Sequence, residues 1–261
     1  MDVMKSFSLK DKVALVTGGA GLYGRQIVEA LAETEAEVYV ASRGIDALEK
    51  LAGEHRAKGR RVSALKMDQG DEPSIHAVRD ELLRRSGRLD VLVNNAVARP
   101  MKTGWTDDPA LFDESMHVNA TGLFMVTRAF GGIMERQRSG SIINIGSMMG
   151  MVGVENANYD GTTMQGWYPD YFFHKGGMIN FTRFCASYFG RFNVRVNCIS
   201  PGGLQTPDHP EPFVRQYNAR TQLGRMANET DLKGAVVFLA GEASLYVTGV
   251  NLPVDGGYTA K

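Results

Sequence analysis

The sequence has very little cysteine and no excess of charge of either sign. Its 261 residues include two cysteines, Cys185 and Cys198, which are too few for a disulfide framework and have no metal-binding spacing. We interpret both as small buried apolar residues, in keeping with a reducing cytoplasmic compartment. Lysine plus arginine equals aspartate plus glutamate at 29 each, so no overall field attracts nucleic acid or an anionic membrane.

Long apolar runs are also missing. Runs such as residues 13–16 and 235–240 are far too short to cross a bilayer. Residues 1–12 alternate apolar and charged side chains and lack the apolar core of a secretory signal. We therefore expect a soluble cytoplasmic protein that needs neither a membrane nor a metal.

The sequence does contain a series of short Val- and Ile-rich runs, separated by longer stretches with helical spacing. Continuous apolar strands are buried on both faces, which requires helices on both sides of a parallel sheet. We therefore predict an α/β fold, a Rossmann-type doubly wound parallel sheet of about seven strands, in a single domain over residues 1–261. The predicted strands are residues 13–16, 38–41, 62–65, 91–93, 142–145, 194–199 and 250–254.

The first predicted strand runs into a glycine-rich turn, and a helical pattern follows over residues 25–33. The turn reads Thr17-Gly18-Gly19-Ala20-Gly21-Leu22-Tyr23-Gly24. Glycines at this point let the backbone approach a pyrophosphate, which then rests on the helix N-terminus, where free N–H groups and the helix dipole favour negative charge. Because the glycines lie between a strand and a helix, the pattern predicts a dinucleotide-binding site.

The second predicted strand ends at Ser42 and Arg43. In NAD-binding folds an acidic residue near this point receives the ribose hydroxyl, whereas an arginine accommodates a 2′-phosphate. Ser42 supplies no carboxylate and Arg43 supplies a cation. The pair therefore favours NADP(H), with NAD(H) as the alternative because Asp46 is close in sequence.

Tyr171 and Lys175 stand one turn apart on the same face of a predicted helix. A free tyrosine loses its proton near pH ~10, and a neighbouring ammonium lowers that pKa. Tyr171 is therefore suited to exchange a proton with a substrate oxygen. Ser147 lies where the fifth predicted strand ends, and Asn119 lies in the helical stretch after the fourth.

In this order, the motifs resemble the classical short-chain dehydrogenase/reductase family over nearly the whole chain. The resemblance implies that Tyr171 is the acid/base group and that Ser147 positions the reacting oxygen. It implies that Lys175 lowers the pKa of Tyr171 and binds the nicotinamide ribose, and that Asn119 holds a water in a proton relay. The cofactor contacts that the resemblance implies are Thr17, Gly18, Gly21, Leu22, Tyr23, Gly24, Ser42, Arg43, Asp68, Gln69, Asn95, Ala96, Tyr171, Lys175, Pro201, Gly202 and Thr206.

The sequence departs from the family pattern at three places. Leu22 stands where the middle glycine of the loop is expected, and Gly21 precedes it, as in the extended relatives that include sugar-nucleotide epimerases. Val97 replaces the glycine that usually follows Asn-Asn-Ala, which suggests a reshaped substrate edge. Ser147 and Tyr171 are 24 positions apart, more than in classical members, so an extra loop must fold between them.

We expect this inserted loop at about residues 151–170 and a substrate lid at about residues 207–226. Long loops beside catalytic residues are usually functional, and the polar and aromatic side chains of the insertion suit a polyhydroxylated ligand. Arg99 and Lys102, just after the fourth strand, would suit an acidic group on the substrate. The candidate substrate contacts are Met149, Tyr159 and Trp167.

Together these features predict an NADP-preferring enzyme that interconverts a secondary alcohol and a ketone, acting on a sugar, a polyol or a related polar hydroxy compound. A 3-oxoacyl thioester reductase is the alternative within enzymes. A sugar-nucleotide epimerase is disfavoured, because no substrate domain fits after Gly257. A non-catalytic dinucleotide sensor is the alternative of another class. The family resemblance implies a homotetramer or homodimer.

Overall fold

The structure is a computed structural model that describes residues 2–260. Its seven strands are β1 (Val13–Thr17), β2 (Glu37–Ser42), β3 (Val62–Lys66), β4 (Val91–Asn94), β5 (Gly140–Ile145), β6 (Val194–Pro201) and β7 (Asn251–Val254). They form one parallel sheet in the order β3-β2-β1-β4-β5-β6-β7. Every predicted strand coincides with an observed one, so the predicted doubly wound α/β fold is confirmed.

The helices that cover the sheet are α1 (Leu22–Glu33), α2 (Ile45–Arg56), α3 (Glu72–Ser86), α4 (Pro109–Met116), α5 (Gly122–Gln137), α6 (Pro169–Gly190), α7 (Glu211–Arg220) and α8 (Lys233–Ala240). A π-helical turn, His117–Thr121, joins α4 to α5. The strand order reverses between β1 and β4, and in such sheets ligands bind at the carboxyl ends of the strands beside this switch point.

The core has two halves because successive strand residues point to opposite faces of the sheet. On one face Val16 of β1 packs with Ile27 of α1 and Val236 of α8. On the other face Leu15 packs with Phe130 of α5 among residues from α3 and α6. Each fully buried side chain of this kind contributes about 1.5–3 kcal/mol, so the apolar runs of the sequence account for the layered fold.

The structure can be compared with the scarcity of cysteine and the lack of long apolar runs in the sequence. Cys185 and Cys198 are free, buried thiols, which confirms their interpretation as small apolar residues, and burial raises the pKa of Cys185 to about 12. Within residues 2–260, no helix combines the length and the apolar character that a bilayer crossing requires. The same residues contain no group of three or more His, Cys, Asp or Glu side chains arranged to hold a metal ion.

The expected insertion at about residues 151–170 falls in the segment between β5 and α6 and reaches into the first residues of α6; that it is an addition to the family pattern stays a prediction. The segment contains the short 3₁₀ turn Asn156–Tyr159 and ends where α6 begins at Pro169. At one end Gln165 donates a hydrogen bond to the carbonyl of Lys102, 3.0 Å away, in the β4–α4 connection. At the other end Glu155 forms an ion pair of 2.8 Å with Arg220 of α7. The insertion therefore joins two separate segments at the carboxyl edge of the sheet.

Candidate active site

The glycine loop after β1 requires at least two of its glycines. Gly18 has a φ of +66°, and a Cβ added to it would lie 2.8 Å from the Cα of Ala96. A Cβ on Gly24 would overlap the carbonyl oxygens of Gly18 and Gly19. Side chains at these positions would separate the loop from α1 or from the end of β4. The tight strand-turn-helix connection predicted from the sequence is therefore present.

The shifted glycine, Gly21, has a different environment. Its φ of −73° is open to any residue, and an added Cβ would meet only the carbonyl oxygen of Gly18 at 3.4 Å. Leu22, in the place of the family's middle glycine, begins α1 with 65% of its side chain exposed. The loop therefore accommodates Leu22 by directing its side chain to solvent.

Thr17 and Asn95 tie the glycine loop to the end of β4. The Thr17 hydroxyl accepts hydrogen bonds from the backbone N–H groups of Asn95 and Ala96, each at 3.0 Å. The Asn95 amide donates in return to the carbonyls of Thr17 and Gly18, at 3.1 and 2.9 Å. These four hydrogen bonds hold the glycine loop at a fixed distance from the residues that follow β4.

The loop fits the diphosphate of a dinucleotide. Within residues 2–260 the backbone N–H groups of Leu22, Tyr23 and Gly24, in the first turn of α1, have no hydrogen-bond acceptor. Free N–H groups at a helix N-terminus, approached by a glycine turn, are the donor set that a pyrophosphate requires. Tyr23 also donates through its hydroxyl to the carbonyl of Gly202, 2.8 Å away, so this turn is joined to the end of β6.

The other predicted cofactor contacts lie along the same edge. Asp68 follows β3, and its carboxylate accepts from the backbone N–H of Gly70 at 2.9 Å. Gln69 is buried and donates to the carbonyl of Val118 at 3.0 Å, so its side chain supports the π turn. Ser42 is half-buried at the end of β2, and Arg43 is exposed beside it.

At the end of β6, Pro201 closes the strand and Gly202 follows it. A Cβ on Gly202 would lie 3.0 Å from the Cα of Asp255, so the glycine permits this close approach. The backbone N–H of Thr206 donates to Nδ1 of His209 at 3.1 Å. These three predicted nicotinamide-side residues thus lie on one connection that leads from the sheet to α7.

Tyr171 and Lys175 lie in the first two turns of α6, as the sequence predicts. The Lys175 ammonium is 5.7 Å from the centroid of the Tyr171 ring, is buried, and donates to the carbonyl of Ile145 at 2.6 Å. A Cβ on Gly150 would lie 2.7 Å from the carbonyl group of Lys175. Glycine at position 150 therefore allows the segment that carries Ser147 to pack directly on α6.

Ser147 is buried and begins the 3₁₀ turn Met148–Gly150. Its oxygen accepts the backbone N–H of Met149 at 3.1 Å, which fixes the side chain and leaves the hydroxyl hydrogen free to be donated. A Cβ on Gly146 would lie 2.7 Å from the Cys198 sulfur, so β5 and β6 stay close where Ser147 emerges.

The charges around Tyr171 favour its phenolate. Burial alone would raise the pKa of Tyr171, but the positive charges of Lys175 and Arg99 and the hydroxyl of Ser147 outweigh it, and the pKa lies below its ordinary value. The pKa of Lys175 is also lowered, by burial and by Arg99, against the opposing effect of Tyr171. The site therefore contains a phenol tuned toward proton exchange at moderate pH.

Asn119 lies within the π turn and its side chain has three hydrogen-bond partners. It donates to the carbonyl of Ala98 at 2.8 Å and accepts the N–H of Ala98 at 2.9 Å. It also donates to the Ser115 hydroxyl at 3.0 Å, which in turn donates to the Asp170 carboxylate at 2.6 Å. The amide thus fixes the chain after β4 and links it to the start of α6. The water-binding role that the resemblance implies for Asn119 stays a prediction.

A small gap lies between α5, α6 and the end of β4, lined by Asn94, Asn119 and His174 among others. The Asn94 amide donates to Asn144 at 2.9 Å and to Thr127 at 3.2 Å, while its oxygen has no partner. Both ring nitrogens of His174 also lack partners within the described residues. Burial and the charges of Lys175 and Arg99 lower the pKa of His174 to about 3, so its ring is neutral at ordinary pH.

The three candidate substrate residues lie in different surroundings. Met149 is half-buried in the 3₁₀ turn after Ser147. Tyr159 packs against Phe213 of α7, with ring centroids 5.4 Å apart, and burial raises its pKa to about 12. Trp167 is 51% exposed at the end of the insertion. Contact of these residues with a substrate stays a prediction.

Arg99 is the residue whose placement the motifs did not reveal. Its guanidinium carbon lies 4.4 Å from the centroid of the Tyr171 ring. In the sequence, an arginine soon after the Asn-Asn-Ala motif suggests an acidic group on the substrate, but it does not predict a contact with Tyr171. Arg215 of α7, by contrast, is paired with Glu211 at 3.0 Å.

Comparison with known proteins defines the class. The family model described as enoyl-(acyl carrier protein) reductase matches residues 21–259. Cyclopentanol dehydrogenase from Comamonas sp. is 33% identical over 97% of this chain and 99% of its own length. Cis-4-hydroxycyclohexanecarboxylate dehydrogenase from Sinomonas cyclohexanicum is 32% identical over 96% and 97%. A 3-oxoacyl-[acyl-carrier-protein] reductase from Thermotoga maritima is 31% identical over 95% and 98%.

Solved structures with bound cofactor are also similar. A gluconate 5-dehydrogenase from Burkholderia cenocepacia in complex with NADP and tartrate is 28% identical, covers 98% of both chains and has a TM-score of 0.87. A short-chain dehydrogenase from Leptospira borgpetersenii with bound NAD⁺ is 30% identical over 98% of this chain and 95% of its own, with a TM-score of 0.85.

The fold and the site together define an oxidoreductase that acts on CH–OH groups. More specifically, the chain belongs to the classical short-chain dehydrogenase/reductase family, whose members use NAD(P).

Proposed function

We propose that the protein interconverts a secondary alcohol and a ketone with NAD(P)(H), and that Asn119, Ser147, Tyr171 and Lys175 carry the reaction. The observation that supports this most strongly is geometric: the buried Lys175 ammonium lies 5.7 Å from the Tyr171 ring centroid and Arg99 lies 4.4 Å from it, so two cations lower the pKa of this tyrosine at the carboxyl edge of the sheet. A sensor without activity would not need a phenol tuned in this way. The tuned proton donor therefore favours the enzyme over the non-catalytic alternative.

When bound, the nicotinamide would provide hydride transfer to or from the carbon of the substrate. During ketone reduction the Tyr171 hydroxyl donates its proton to the substrate oxygen, and the Ser147 hydroxyl donates a hydrogen bond to the same oxygen. Lys175 stabilises the phenolate that remains. Alcohol oxidation reverses these steps, and Tyr171 then accepts the proton.

We propose NADP(H) as the preferred cofactor and NAD(H) as the alternative. Arg43 is exposed at the end of β2, and no carboxylate among residues 2–260 forms an ion pair with it. A free guanidinium there suits a 2′-phosphate. Similar structures contain NADP in one case and NAD⁺ in another, so the relatives support both cofactors and the preference depends on Arg43.

For the substrate we propose a sugar, a polyol or a related polar hydroxy compound. The insertion places polar groups and Trp167 beside the β4–α4 connection, and α7 lies at its other end. We further propose that residues 207–226 act as a lid whose closure excludes water. The second candidate, a 3-oxoacyl thioester reductase, is favoured by the 31% identity to the Thermotoga reductase.

A substrate screen separates these candidates. Purified enzyme is incubated with NADP⁺ or NAD⁺ and a panel of sugars, polyols and hydroxy acids, and in reverse with their keto forms and with acetoacetyl thioesters. We expect turnover of polar hydroxy compounds with the higher kcat/KM for NADP⁺. Turnover of acetoacetyl thioesters alone would establish the second candidate instead.

Assembly and location remain part of the proposal. Phe124 of α5 and Phe173 and Phe184 of α6 are 45–66% exposed, and a contact between subunits would cover such apolar side chains. We propose that these helices form the interface of a homodimer or homotetramer in the cytoplasm. Size-exclusion chromatography with light scattering measures the assembly directly.

A further inference from the structure

The guanidinium of Arg99 lies over the face of the catalytic tyrosine. Its carbon is 4.4 Å from the centroid of the Tyr171 ring, closer than the Lys175 ammonium at 5.7 Å. Its charge also acts on Tyr159 of the insertion and on His174. Arg99 is therefore close to the acid/base group and to residues of both α6 and the insertion.

Arg99 has no carboxylate partner among residues 2–260. Across residues 2–260 no carboxylate lies within ion-pair distance of its side chain, which is exposed. The nearby acidic group Asp170 is buried and accepts a hydrogen bond from Ser115 instead. The lid arginines differ, because Arg220 is paired with Glu155 and Arg215 with Glu211. The cleft therefore contains two cations, Arg99 and Lys175, that are not paired with a carboxylate of the described chain; the acid/base group Tyr171 is the anion they share when it is deprotonated.

A substrate that reacts at Tyr171 must displace water from Arg99. A neutral substrate would leave this charge partly desolvated without a partner, which is unfavourable. A carboxylate would instead accept the parallel N–H bonds that a guanidinium offers in fixed geometry.

We propose that Arg99 binds a carboxylate of the substrate, so that the enzyme prefers hydroxy acids and their keto forms to neutral alcohols. This inference rests on the proposed alcohol/ketone function and narrows its substrate class. It places the carboxylate on the Tyr159 side of the reacting carbon, where Asn119 fixes the backbone of the neighbouring Ala98.

The first test uses turnover. Hydroxy acids with the carboxylate at increasing distance from the carbinol carbon are each compared with their methyl ester. For at least one pair we expect the acid to have a kcat/KM at least about 10-fold higher, since a hydrogen bond to a charged group contributes about 1.5–3 kcal/mol. Arg99→Gln should abolish that preference by raising KM for the acid, and Arg99→Lys should restore part of it. Esters that match or exceed every acid would overturn the proposal while leaving the alcohol/ketone function intact.

The matched control is Arg191→Gln. Arg191 also stacks on aromatic rings, with its guanidinium carbon 4.9 Å from the centroid of Tyr188 and 4.7 Å from that of Phe192, but it lies at the end of α6 away from the site. This variant removes the same charge and should keep the full preference for the acid. A loss of preference equal to that of Arg99→Gln would show a general charge effect and overturn the proposal.

The second test does not depend on turnover. Isothermal titration of the NADP⁺-loaded Tyr171→Phe variant with the same pairs measures binding alone. We expect the preferred acid to bind at least about 10-fold more tightly than its ester, and the difference to vanish when Arg99→Gln is added. Equal binding of acids and esters overturns the carboxylate site, whereas preferential acid binding without turnover by wild-type protein would overturn only the alcohol/ketone function.

Discussion

The carbonyl oxygen of Trp167 lies so close to Gly104 that a Cβ at position 104 would overlap it. Gly104 is buried and has a φ of +75°, a conformation that favours glycine. The contact brings the end of the insertion against the β4–α4 connection, which Asp107 holds by accepting backbone N–H groups of Lys102, Thr103 and Gly104 at 2.7–3.0 Å. The close packing of the end of the insertion on this connection thus requires a glycine at position 104, outside the insertion.

The first prediction concerns this contact. Gly104→Ala should displace the insertion and raise KM for the substrate about 10-fold, while the Kd for NADP(H) stays within about twofold, because no cofactor residue is touched. Gly153→Ala is the control: position 153 lies in the insertion, and an added Cβ meets nothing within 4 Å. Steady-state kinetics and cofactor fluorescence measure the two quantities. Equal KM values for both variants would contradict the prediction.

The second prediction concerns the proton donor. Tyr171→Phe removes one hydroxyl and little volume, so turnover should fall at least about 100-fold, within the range that a general acid contributes, with cofactor affinity unchanged. Single-turnover kinetics measure the rate of the chemical step, and fluorescence titration with NADPH measures the cofactor affinity. Near-normal turnover would rule out Tyr171 as the acid/base group.

The third prediction concerns pH. The phenolate of Tyr171 accepts the proton during alcohol oxidation, so the rate should rise with pH and level off above a pKa that lies below the ordinary value of ~10. Lys175→Ala removes a charge that lowers this pKa, and the midpoint should move to higher pH. The dependence of kcat/KM on pH is measured for the wild type and the variant. An unchanged midpoint would show that Lys175 does not lower the pKa of Tyr171.

The fourth prediction concerns the cofactor. Arg43→Ala should weaken NADP(H) about 10-fold or more and NAD(H) by less than about twofold, because only the 2′-phosphate requires the guanidinium. Lys50→Ala, an exposed residue of α2, removes the same charge as a control. Fluorescence titration with both cofactors measures the affinities. An equal loss for both would refute the phosphate contact.

The fifth prediction concerns stability in acid. The folded-state pKa of His174 is lowered to about 3, whereas the ordinary value is 6.5. Between these values the unfolded chain binds a proton that the folded chain excludes, so the free energy of unfolding falls as the pH falls below 6.5. At pH ~4.5, two pH units below 6.5, this loss of stability is about 2.7 kcal/mol. His174→Gln should lose less stability than wild type over this range, measured by urea unfolding, and parallel curves would contradict the prediction.

Much of the fold could be predicted because it depends on local patterns. The seven apolar runs locate the strands, and the glycine turn after β1 has one main structural solution. The positions of Tyr171 and Lys175 follow from helical spacing alone. The π turn around Asn119 was not predicted, because it depends on how α4, α5 and the buried Gln69 pack together.

The surroundings of the candidate site were harder to predict, because they depend on contacts between residues that are far apart in the sequence. Arg99 is 72 residues from Tyr171 in sequence, and the stacking depends on the backbone path after β4. His174 falls on the buried side of α6, although residue type alone suggests a solvent-exposed histidine. The insertion was expected beside the cleft, but its attachments at Gly104 and Arg220 involve residues with no motif of their own.

The hydrogen bonds of Thr17 and Asn119 have a consequence for how this enzyme can acquire new substrates. Thr17 fixes the backbone at Asn95 and Ala96, and Asn119 fixes it at Ala98. The chain that leads into Arg99 is therefore held at positions 95, 96 and 98, by residues that belong to the glycine loop or to the π turn. We expect natural variation in substrate range to arise by exchanging the Arg99 side chain or the sequence of the insertion, while the backbone between positions 95 and 98 stays the same across variants.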